Sequence, residues 1–458
     1  MAGIGFELRK ILKENSLLSI LKVYGYSAVL SSGSWIISIL SIVFIGIVNI
    51  YITKKYTDIV QFQVVITYLI AFSLIFTGFF QLSFTRYIAD RLFEKDYKRV
   101  LPNYFGVLFI TFLVGLLVFI PLSLWIFPQQ SNLFKILFIS SFLVLCGIWL
   151  SNSLLLGLKE YKKIVSFFAI GYLIVIILSY LIRKFGLDGY LFSFFLGNSF
   201  IFFSIVYLIV KHYESDKLFE LDFLLNKKHR IYFSIAGAGL FYNLGIWIDK
   251  FIFWIHPETN YNVIGKLNAS IVYDLPIFLA YLSIVPGMAI FFYRLEADFA
   301  EKYDNLFNAI RTDGTFEQII TYKNDMIETI RIAIKETIIT QGIFNILIYI
   351  FSKDIFKVLN IPLLYLPLFY IDLVGVQLQL AFMAILAILF YIDRKRESLF
   401  LTLLFFCLNG IFSYLSIKAG YMFYGYGFAL SLLISFIVSL IILRRNIDDI
   451  EYETFSLQ

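Results

Sequence analysis

The chain has 458 residues, of which 60% are hydrophobic and 15% charged, whereas soluble proteins have ~45–50% apolar and ~25% charged residues. A soluble globular fold is therefore excluded. A transmembrane helix needs about 20 apolar residues, and the sequence holds twelve such runs. Long unbroken runs also exclude an outer-membrane barrel, whose strands alternate over short segments. The fold class that remains is an all-α integral membrane protein with twelve transmembrane helices.

The first 26 residues predict an amphipathic helix on the membrane surface. Glu7, Arg9 and Lys10 alternate there with apolar residues, so the segment lacks the uncharged core of a signal peptide and suits the bilayer interface. Pro276 and Pro286 predict bends in the eighth span. The predicted spans are 27–51, 61–84, 102–127, 133–157, 164–182, 189–210, 231–255, 268–293, 332–351, 369–391, 398–417 and 422–443.

The positive charges predict the orientation. With an even number of spans, both termini lie on one side of the membrane, and the segments on that side carry 28 of the 38 Lys and Arg residues. The opposite loops carry nine, and Lys250 lies within a span. Because positively charged loops stay in the cytoplasm, we expect cytoplasmic N- and C-termini and short external loops.

The two halves of the chain carry matching sequences. Residues 33–36 (GSWI) recur as 245–248 (GIWI), and residues 84–90 (FTRYIAD) recur as 292–298 (FYRLEAD). The offsets are 212 and 208 residues, which indicates an internal duplication of the kind found in transporters. We therefore predict two pseudo-symmetric six-helix bundles. The predicted domains are the N-terminal helix (1–26), the first bundle (27–210), a cytoplasmic connector (211–230), the second bundle (231–443) with a cytoplasmic helical hairpin (294–335), and a cytoplasmic tail (444–458).

The second repeated motif places an Arg four residues before an Asp, as Arg86 with Asp90 and Arg294 with Asp298. This spacing puts both side chains on one helical face within pairing distance. One interpretation is an interfacial Arg in a surface pair worth ~0.3–0.5 kcal/mol. The other is a cytoplasmic gate, in which both pairs hold the bundles together when the path opens outward. A gate predicts that the double variant of Arg86 and Arg294 impairs transport more than membrane insertion.

Polar residues at membrane depth are the candidates for a transport path, because such groups tend to face protein or water. Asp249 and Asp274 are expected to line an aqueous vestibule, whereas Asp372 also fits an interfacial position. The amides fit either the path or hydrogen bonds between helices, and Trp247 offers an indole face to a sugar ring or to a packing neighbour. The candidates are Asn243, Trp247, Asp249, Asp274, Asp372, Gln377 and Gln379.

The one sizeable hydrophilic segment, residues 294–335, alternates charged and apolar residues at helical spacing and predicts the cytoplasmic hairpin. It is either a solvated connector or a docking surface for a cytosolic partner. The acidic candidates for docking are Glu301, Asp304, Glu317, Asp325 and Glu328.

Motifs that carry chemistry are missing from the sequence. It contains no phosphate-binding loop, no H-E-x-x-H site and no Cys/His cluster, and its three histidines fall in predicted loops or at span ends. We therefore predict that the chain is not an enzyme and has no catalytic residue, metal or cofactor.

Five segments resemble the PelG family, the integral membrane transporters of the Pel exopolysaccharide system. The resemblance runs from the N-terminus through the twelfth span and extends to flippases of the multidrug/oligosaccharidyl-lipid/polysaccharide (MOP) superfamily. The segments are residues 1–10 (MAGIGFELRK), 31–35 (SSGSW), 85–93 (TRYIADRLF), 243–251 (NLGIWIDKF) and 371–379 (IDLVGVQLQ).

The resemblance implies a V-shaped pair of bundles around a central path in a bacterial cytoplasmic (inner) membrane. It also implies that a cytosolic glycosyltransferase, the Pel polymerase, makes a polymer rich in N-acetylgalactosamine and galactosamine, which the transporter passes outward. Further implied partners are membrane proteins of the Pel synthase complex, including a cyclic-di-GMP receptor. We expect no nucleic-acid partner. From the residues we add that carboxylates suit a partly deacetylated, cationic polymer and that the acidic hairpin suits a polymerase dock.

Two other functions also fit the residues. An ion-coupled exporter or flippase of small amphiphiles or of another lipid-linked oligosaccharide fits, since a fold does not determine cargo. A membrane-embedded enzyme is the third candidate. Dye efflux that depends on an ion gradient would support the second function, and sugar-nucleotide turnover without partners would support the third.

Overall fold

The computed structural model describes residues 17–53, 56–158, 161–225, 232–312 and 314–448. Most of the predicted N-terminal surface helix, the end of the predicted connector and the tail beyond residue 448 lie outside the described residues. Within the described ranges the chain is almost entirely helical.

Seven long helices cover the first part of the chain, with a single helical turn, Asp222–Leu225, between the last two. They are α1 (Leu17–Thr53), α2 (Tyr56–Phe93), α3 (Val100–Ile126), α4 (Asn132–Leu158), α5 (Tyr161–Leu181), α6 (Gly186–His212) and α7 (Phe233–Ile255).

A two-stranded hairpin, β1 (Tyr261–Ile264) and β2 (Leu267–Ala269), separates these helices from the rest. A π-helical segment, Arg294–Phe299, then joins two of the later helices without a break. Up to residue 448, the seven helices that follow the hairpin are α8 (Ile271–Leu282), α9 (Val285–Tyr293), α10 (Ala300–Arg311), α11 (Phe316–Val358), α12 (Leu366–Tyr391), α13 (Lys395–Ala419) and α14 (Tyr426–Asp448).

Among the described residues, nine helices are long and apolar enough to cross a membrane, or eleven spans if each of two bent helix pairs counts as one. The chain is therefore a multi-pass membrane protein. Helix α7, at the position of the predicted seventh span, is not among the eleven. It carries Asn243, Asp249 and Lys250 together with several glycines, which lower its hydropathy. The number twelve and the cytoplasmic termini stay predictions.

The chain divides into two compact units. The first unit is Ser34–Ser270, and the second is Ile271–Gln458 together with the chain up to Gly33. This grouping places α7 with the preceding helices, whereas the prediction from the repeated motifs starts the second bundle at residue 231. The reason lies in the packing of α7 along α2, which is the most extensive helix contact that α7 makes.

The first unit is built around α2, which packs against α4 and α7, while α6 packs against α4 and α5. Glycines allow the close approaches, as expected in a bilayer, where helix association depends on tight packing rather than on the exclusion of water. A Cβ on Gly239 of α7 would overlap the carbonyl oxygen of Gly78 of α2. Large aromatic side chains fill the core between the helices, including Phe62, Phe134, Phe138, Phe142 and Phe194.

The β-hairpin is held against the end of α3. The N–H of Lys266 donates to the carbonyl of Ile126 at 3.0 Å, and the Lys266 ammonium lies 3.9 Å from the centre of the Trp125 ring. Gly265 has a φ of +57°, and a Cβ there would collide with the Ile126 carbonyl, so the turn requires glycine. The sequence prediction of a short loop at this position missed the hairpin.

The second unit is built around α12, which packs against α8, α11 and α14. The predicted eighth span is broken into α8 and α9, with a bend of 43° between them. Pro286 stands at the start of α9, where its missing N–H and fixed φ end the preceding helix. The bend predicted at Pro286 is therefore confirmed, while Pro276 lies inside α8.

Candidate functional site

The contact between α2 and α7 holds the predicted path residue Asn243. Its side-chain amide donates to the carbonyl of Gly239, one turn earlier, at 3.0 Å. A Cβ on Gly78 would lie 2.6 Å from the same amide nitrogen. Asn243 therefore marks the point where the two helices cross. Its side chain is half-buried, and its amide oxygen is a hydrogen-bond acceptor at that point.

An aromatic cluster extends from this crossing along the same two helices. Trp254 is 3% exposed, and its ring lies 4.5 Å from that of Tyr68. Trp247 lies 6.3 Å from Trp254 and 6.5 Å from Phe251, and it is only half-buried. Trp254 is thus a core residue, whereas Trp247 keeps part of its indole surface accessible.

Asp249, predicted to line a vestibule, is completely buried and forms an ion pair with its neighbour. The Lys250 ammonium donates to both carboxylate oxygens of Asp249, at 2.9 and 3.2 Å, and to the carbonyl of Ile246 at 2.9 Å. These three acceptors match the three protons of the ammonium. The pair is therefore neutral as a whole, and Asp249 does not present a bare negative charge to a cargo.

Asp249→Asn is expected to lower membrane abundance and thermal stability, because it leaves the buried Lys250 ammonium without its counter-charge. Breaking a buried ion pair costs about 3–5 kcal/mol. The double variant Asp249→Asn with Lys250→Met removes both charges and should recover most of the lost stability. Thermal unfolding of the purified protein and membrane abundance measure both effects. An Asp249→Asn protein that is fully abundant but transport-dead would instead place this carboxylate on the path.

In the second unit, Gln341 of α11 bridges the break between α8 and α9. Its amide nitrogen donates to the carbonyl of Ser283 at 3.0 Å, and its amide oxygen accepts from the N–H of Gly287 at 3.2 Å. A broken helix leaves such backbone groups unsatisfied, which is costly at membrane depth. The completely buried Gln341 supplies both missing partners, and the path prediction had overlooked it.

Further amides continue from Gln341 to α12. Gln341 donates to Asn345 at 2.8 Å, Asn345 donates to Gln377 at 3.0 Å, and Gln377 donates to the carbonyl of Ile338 at 3.0 Å. Gln379, on another side of α12, accepts from the Tyr281 hydroxyl at 2.8 Å. The predicted residues Gln377 and Gln379 thus belong to hydrogen-bond networks that join α8, α11 and α12. The sequence did carry one signal for this network: two amide residues, Gln341 and Asn345, stand four residues apart within an apolar run.

The two remaining carboxylates of the predicted path differ in setting. Asp274 is half-buried in the first turn of α8, where a negative charge is favoured by the helix dipole. Asp372 is completely buried in α12. Its Oδ1 lies 2.9 Å from where a Cβ of Gly425 would stand, and Gly425 has a φ of +84°. Only glycine fits beside this carboxylate.

The two copies of the Arg-x-x-x-Asp motif have different surroundings. Arg86 Nε lies 3.1 Å from Asp90 Oδ1, and the two side chains are 35% and 30% exposed. Arg294 pairs with Asp298 and also donates two hydrogen bonds, of 2.6 and 2.7 Å, to the carboxylate of Glu336 in α11. The second copy therefore ties the π-helical segment to α11, and Glu336 is a partner that the motif did not reveal.

The predicted docking residues lie on α10 and the first part of α11, which pack against each other. A capping box formed by Thr315 and Gln318 starts α11. Lys302 of α10 pairs with the predicted docking residue Asp325 of α11 at 2.8 Å. Glu301 is half-buried, whereas the other three predicted residues, Asp304, Glu317 and Glu328, are exposed.

Comparison with known proteins identifies the fold and the family. A multidrug resistance MATE transporter of the MOP superfamily, in an outward-facing conformation, has 13% identity and a TM-score of 0.66, over 94% of this chain and 96% of that chain. A MATE protein in the bent conformation has 15% identity and a TM-score of 0.64 over the same shares. A MOP superfamily transporter from Pyrococcus furiosus has 13% identity and a TM-score of 0.63, again over 94% and 96%.

These likenesses show that the chain has the fold of MOP superfamily transporters. Among curated proteins, no sequence matches this chain significantly. The profile of the PelG family, described as "Putative exopolysaccharide Exporter (EPS-E)", matches residues 1–455.

Proposed function

This chain belongs to the PelG family of exopolysaccharide exporters, and we propose that it carries a Pel-type polymer across the bacterial cytoplasmic membrane. The polymer is rich in N-acetylgalactosamine and galactosamine, and the chain moves it without catalysing a reaction. The observation that carries this proposal is the family match over residues 1–455 of 458. The MOP-type fold supports it, because that fold is known from transporters.

The burial of the individual side chains, taken within each unit, supports a path that binds the polymer mainly through uncharged groups. We assign the path to the half-buried candidates Asn243, Trp247, Asp274 and Gln377. Amides suit the hydroxyl and acetamido groups of a glycan, an indole face suits a sugar ring, and the Asp274 carboxylate suits a deacetylated amino sugar. We assign supporting roles to the buried candidates Asp249, Asp372 and Gln379.

The cytoplasmic hairpin supports cooperation with a cytosolic glycosyltransferase. Asp304, Glu317 and Glu328 are exposed on α10 and α11 and provide negative charge for a basic surface. We propose that the Pel polymerase docks there and feeds the growing chain into the path. A cyclic-di-GMP receptor of the synthase complex is the second proposed partner.

Export by the whole system tests the proposal. In bacteria that make Pel polymer but lack their own exporter, this chain should restore extracellular polymer, measured as released N-acetylgalactosamine after acid hydrolysis. The polymerase should co-purify with it from mild detergent. Cells without the polymerase are the control and should release no polymer.

Two results would contradict the proposal. Polymer that stays inside cells containing normal amounts of the membrane protein would exclude export of this cargo. Dye efflux driven by a proton or sodium gradient, without polymer release, would favour an ion-coupled exporter of small amphiphiles instead.

A further inference from the structure

Residues 213–223, here called the strap, lie along the cytoplasmic ends of α2 and α3 under the predicted orientation. The Ser215 hydroxyl donates to the carbonyl of Lys98 at 2.8 Å, just before α3. The N–H of Glu220 donates to the carbonyl of Pro102 at 3.1 Å. A Cβ on Gly106 would collide with the Glu220 carbonyl, so the strap runs directly against α3. This part of the connector is therefore fixed to the first unit and is not a free linker.

The far end of the strap is anchored by Phe223. Its ring is buried edge-on against Phe84 and Tyr87 of α2, with both ring centres at 5.6 Å. The N–H of Phe223 donates to the Asn103 side chain at 2.9 Å. Backbone and side chain thus hold the same residue.

Three ion pairs involve four of the five charged residues of the strap. They are Lys98 with Asp216 at 2.8 Å, Arg99 with Asp222 at 2.8 Å, and Lys217 with Glu220 at 2.6 Å. The hydrogen bond from Lys98 lowers the pKa of the Asp216 carboxyl, which keeps that pair ionised. Each of these basic side chains has its own counter-charge within the protein, so the strap has little positive charge left to attract anionic headgroups.

Between these polar contacts the strap carries an apolar pair, Leu218 and Phe219. Leu218 is 81% exposed. The Phe219 ring packs edge-on at 5.7 Å against Phe109 of α3. Phe109 stands nine residues after Val100, which is about 13 Å along the helix axis. Phe219 therefore reaches a level well inside the start of this membrane helix.

Phe109 belongs to the face of α3 that looks away from the protein. Exposed apolar side chains follow this face at helical spacing: Phe109, Leu113, Leu116, Leu117, Ile120 and Leu124. The helix is long and apolar enough to cross a membrane, so this face suits contact with acyl chains. Phe219 extends the same apolar surface, and Leu218 stands beside it.

We propose that the strap is an interfacial anchor whose Leu218 and Phe219 insert among the acyl chains of the cytoplasmic leaflet. Apolar side chains of an interfacial segment bury about 5–10 Å into the headgroup and acyl boundary, and the contact with Phe109 places Phe219 beside a helix that can cross the membrane. The partner of this surface is bilayer lipid, recognised through its acyl chains and not through headgroup charge. The connector between the halves is then held in the membrane surface, whatever cargo the chain carries.

A nitroxide spin label on Leu218→Cys tests the anchor, since loss of an exposed leucine removes no internal packing. The full chain carries Cys407→Ser, because Cys407 is exposed, and it keeps the buried Cys146. Glu214→Cys, four residues earlier and also exposed, is the matched control. Collisions of each label with membrane-soluble oxygen and with a water-soluble nickel chelate are measured in phosphatidylcholine vesicles, with and without phosphatidylglycerol.

We expect the label at residue 218 to collide mainly with oxygen in both kinds of vesicle. The label at residue 214 should collide mainly with the nickel chelate. Nickel-dominated collisions at residue 218 would overturn the proposal, because the leucine would then lie in water. Oxygen access that appears only with phosphatidylglycerol would also overturn it, since headgroup charge would then place the strap. Protection from both reagents in native membranes would show that a protein covers the strap instead.

Discussion

Gln341→Leu is expected to remove most of the folded protein from the membrane. The substitution leaves the carbonyl of Ser283 and the N–H of Gly287 without their partner at the break in the eighth span. Each buried polar group left unsatisfied costs about 1–3 kcal/mol, and water is not available at this depth to replace the amide. Total stabilities are only about 5–15 kcal/mol, so the loss is large. Membrane abundance and thermal unfolding in detergent measure it.

Two glycines in the same region provide a matched pair of controls. A Cβ on Gly287 would collide with Leu380 Cδ2, the flexible end of a side chain, and would stand 2.6 Å from the Gln341 amide oxygen. Gly287→Ala should therefore displace Gln341 and resemble Gln341→Leu. A Cβ on Gly342 would meet only the Gln377 amide nitrogen, at 3.2 Å, at the flexible end of a side chain. Gly342→Ala should therefore stay close to wild type. Equal effects of both alanines, or a stable but inactive Gln341→Leu protein, would contradict the bridging role.

Arg294→Gln is expected to reduce export at least about tenfold, equivalent to ~1.4 kcal/mol, whereas Arg86→Gln changes it less than about twofold. The Arg294 guanidinium binds Glu336 through two hydrogen bonds and also pairs with Asp298. Arg86 has a surface pair of the kind worth only ~0.3–0.5 kcal/mol, with both side chains about one third exposed. The measured quantity is the amount of extracellular polymer, normalised to the membrane abundance of each variant. Arg86→Gln and Arg294→Gln serve as controls for each other.

The double variant Arg294→Gln with Glu336→Gln distinguishes two roles of Arg294: a gate that acts in transport, and a structural tie, meaning a contact that only holds the π-helical segment against α11. The double variant removes one of the two carboxylates that Arg294 neutralises, so a structural tie predicts recovery of both abundance and export. A gate predicts recovery of abundance alone. Equal export losses in Arg86→Gln and Arg294→Gln would show that the motif acts through its Arg–Asp spacing and that Glu336 has no part in it.

The membrane fold and the family were accessible from the sequence because their signals are local. Long apolar runs predict spans, and the segments at residues 1–10, 85–93 and 371–379 carried the resemblance that the family match confirms. The bend beside Pro286 was accessible for the same reason, since a missing N–H acts on its own turn of helix. The twelve-span count and the two-bundle division stay predictions.

The partners of the candidate residues were not accessible in this way. Lys250 follows Asp249 directly, yet adjacent helical residues do not face each other, and the sequence does not show that the ammonium turns back to the carboxylate. Glu336 lies 42 residues from Arg294 and Gln341 lies 54 from Gly287. Such pairs form only when α11 packs beside α9 and the π-helical segment.

The amino-acid sequence by itself determined that this chain spans a membrane many times, belongs to the exporter family and bends its eighth span at a proline. These properties follow from hydropathy and backbone chemistry, which each segment carries alone. Only the tertiary structure decided which polar groups are buried in pairs and which stay accessible. The pairing of Asp249 with Lys250 and the position of Gln341 at the helix break share one reason: at membrane depth polar groups need partners, and helix packing chooses those partners.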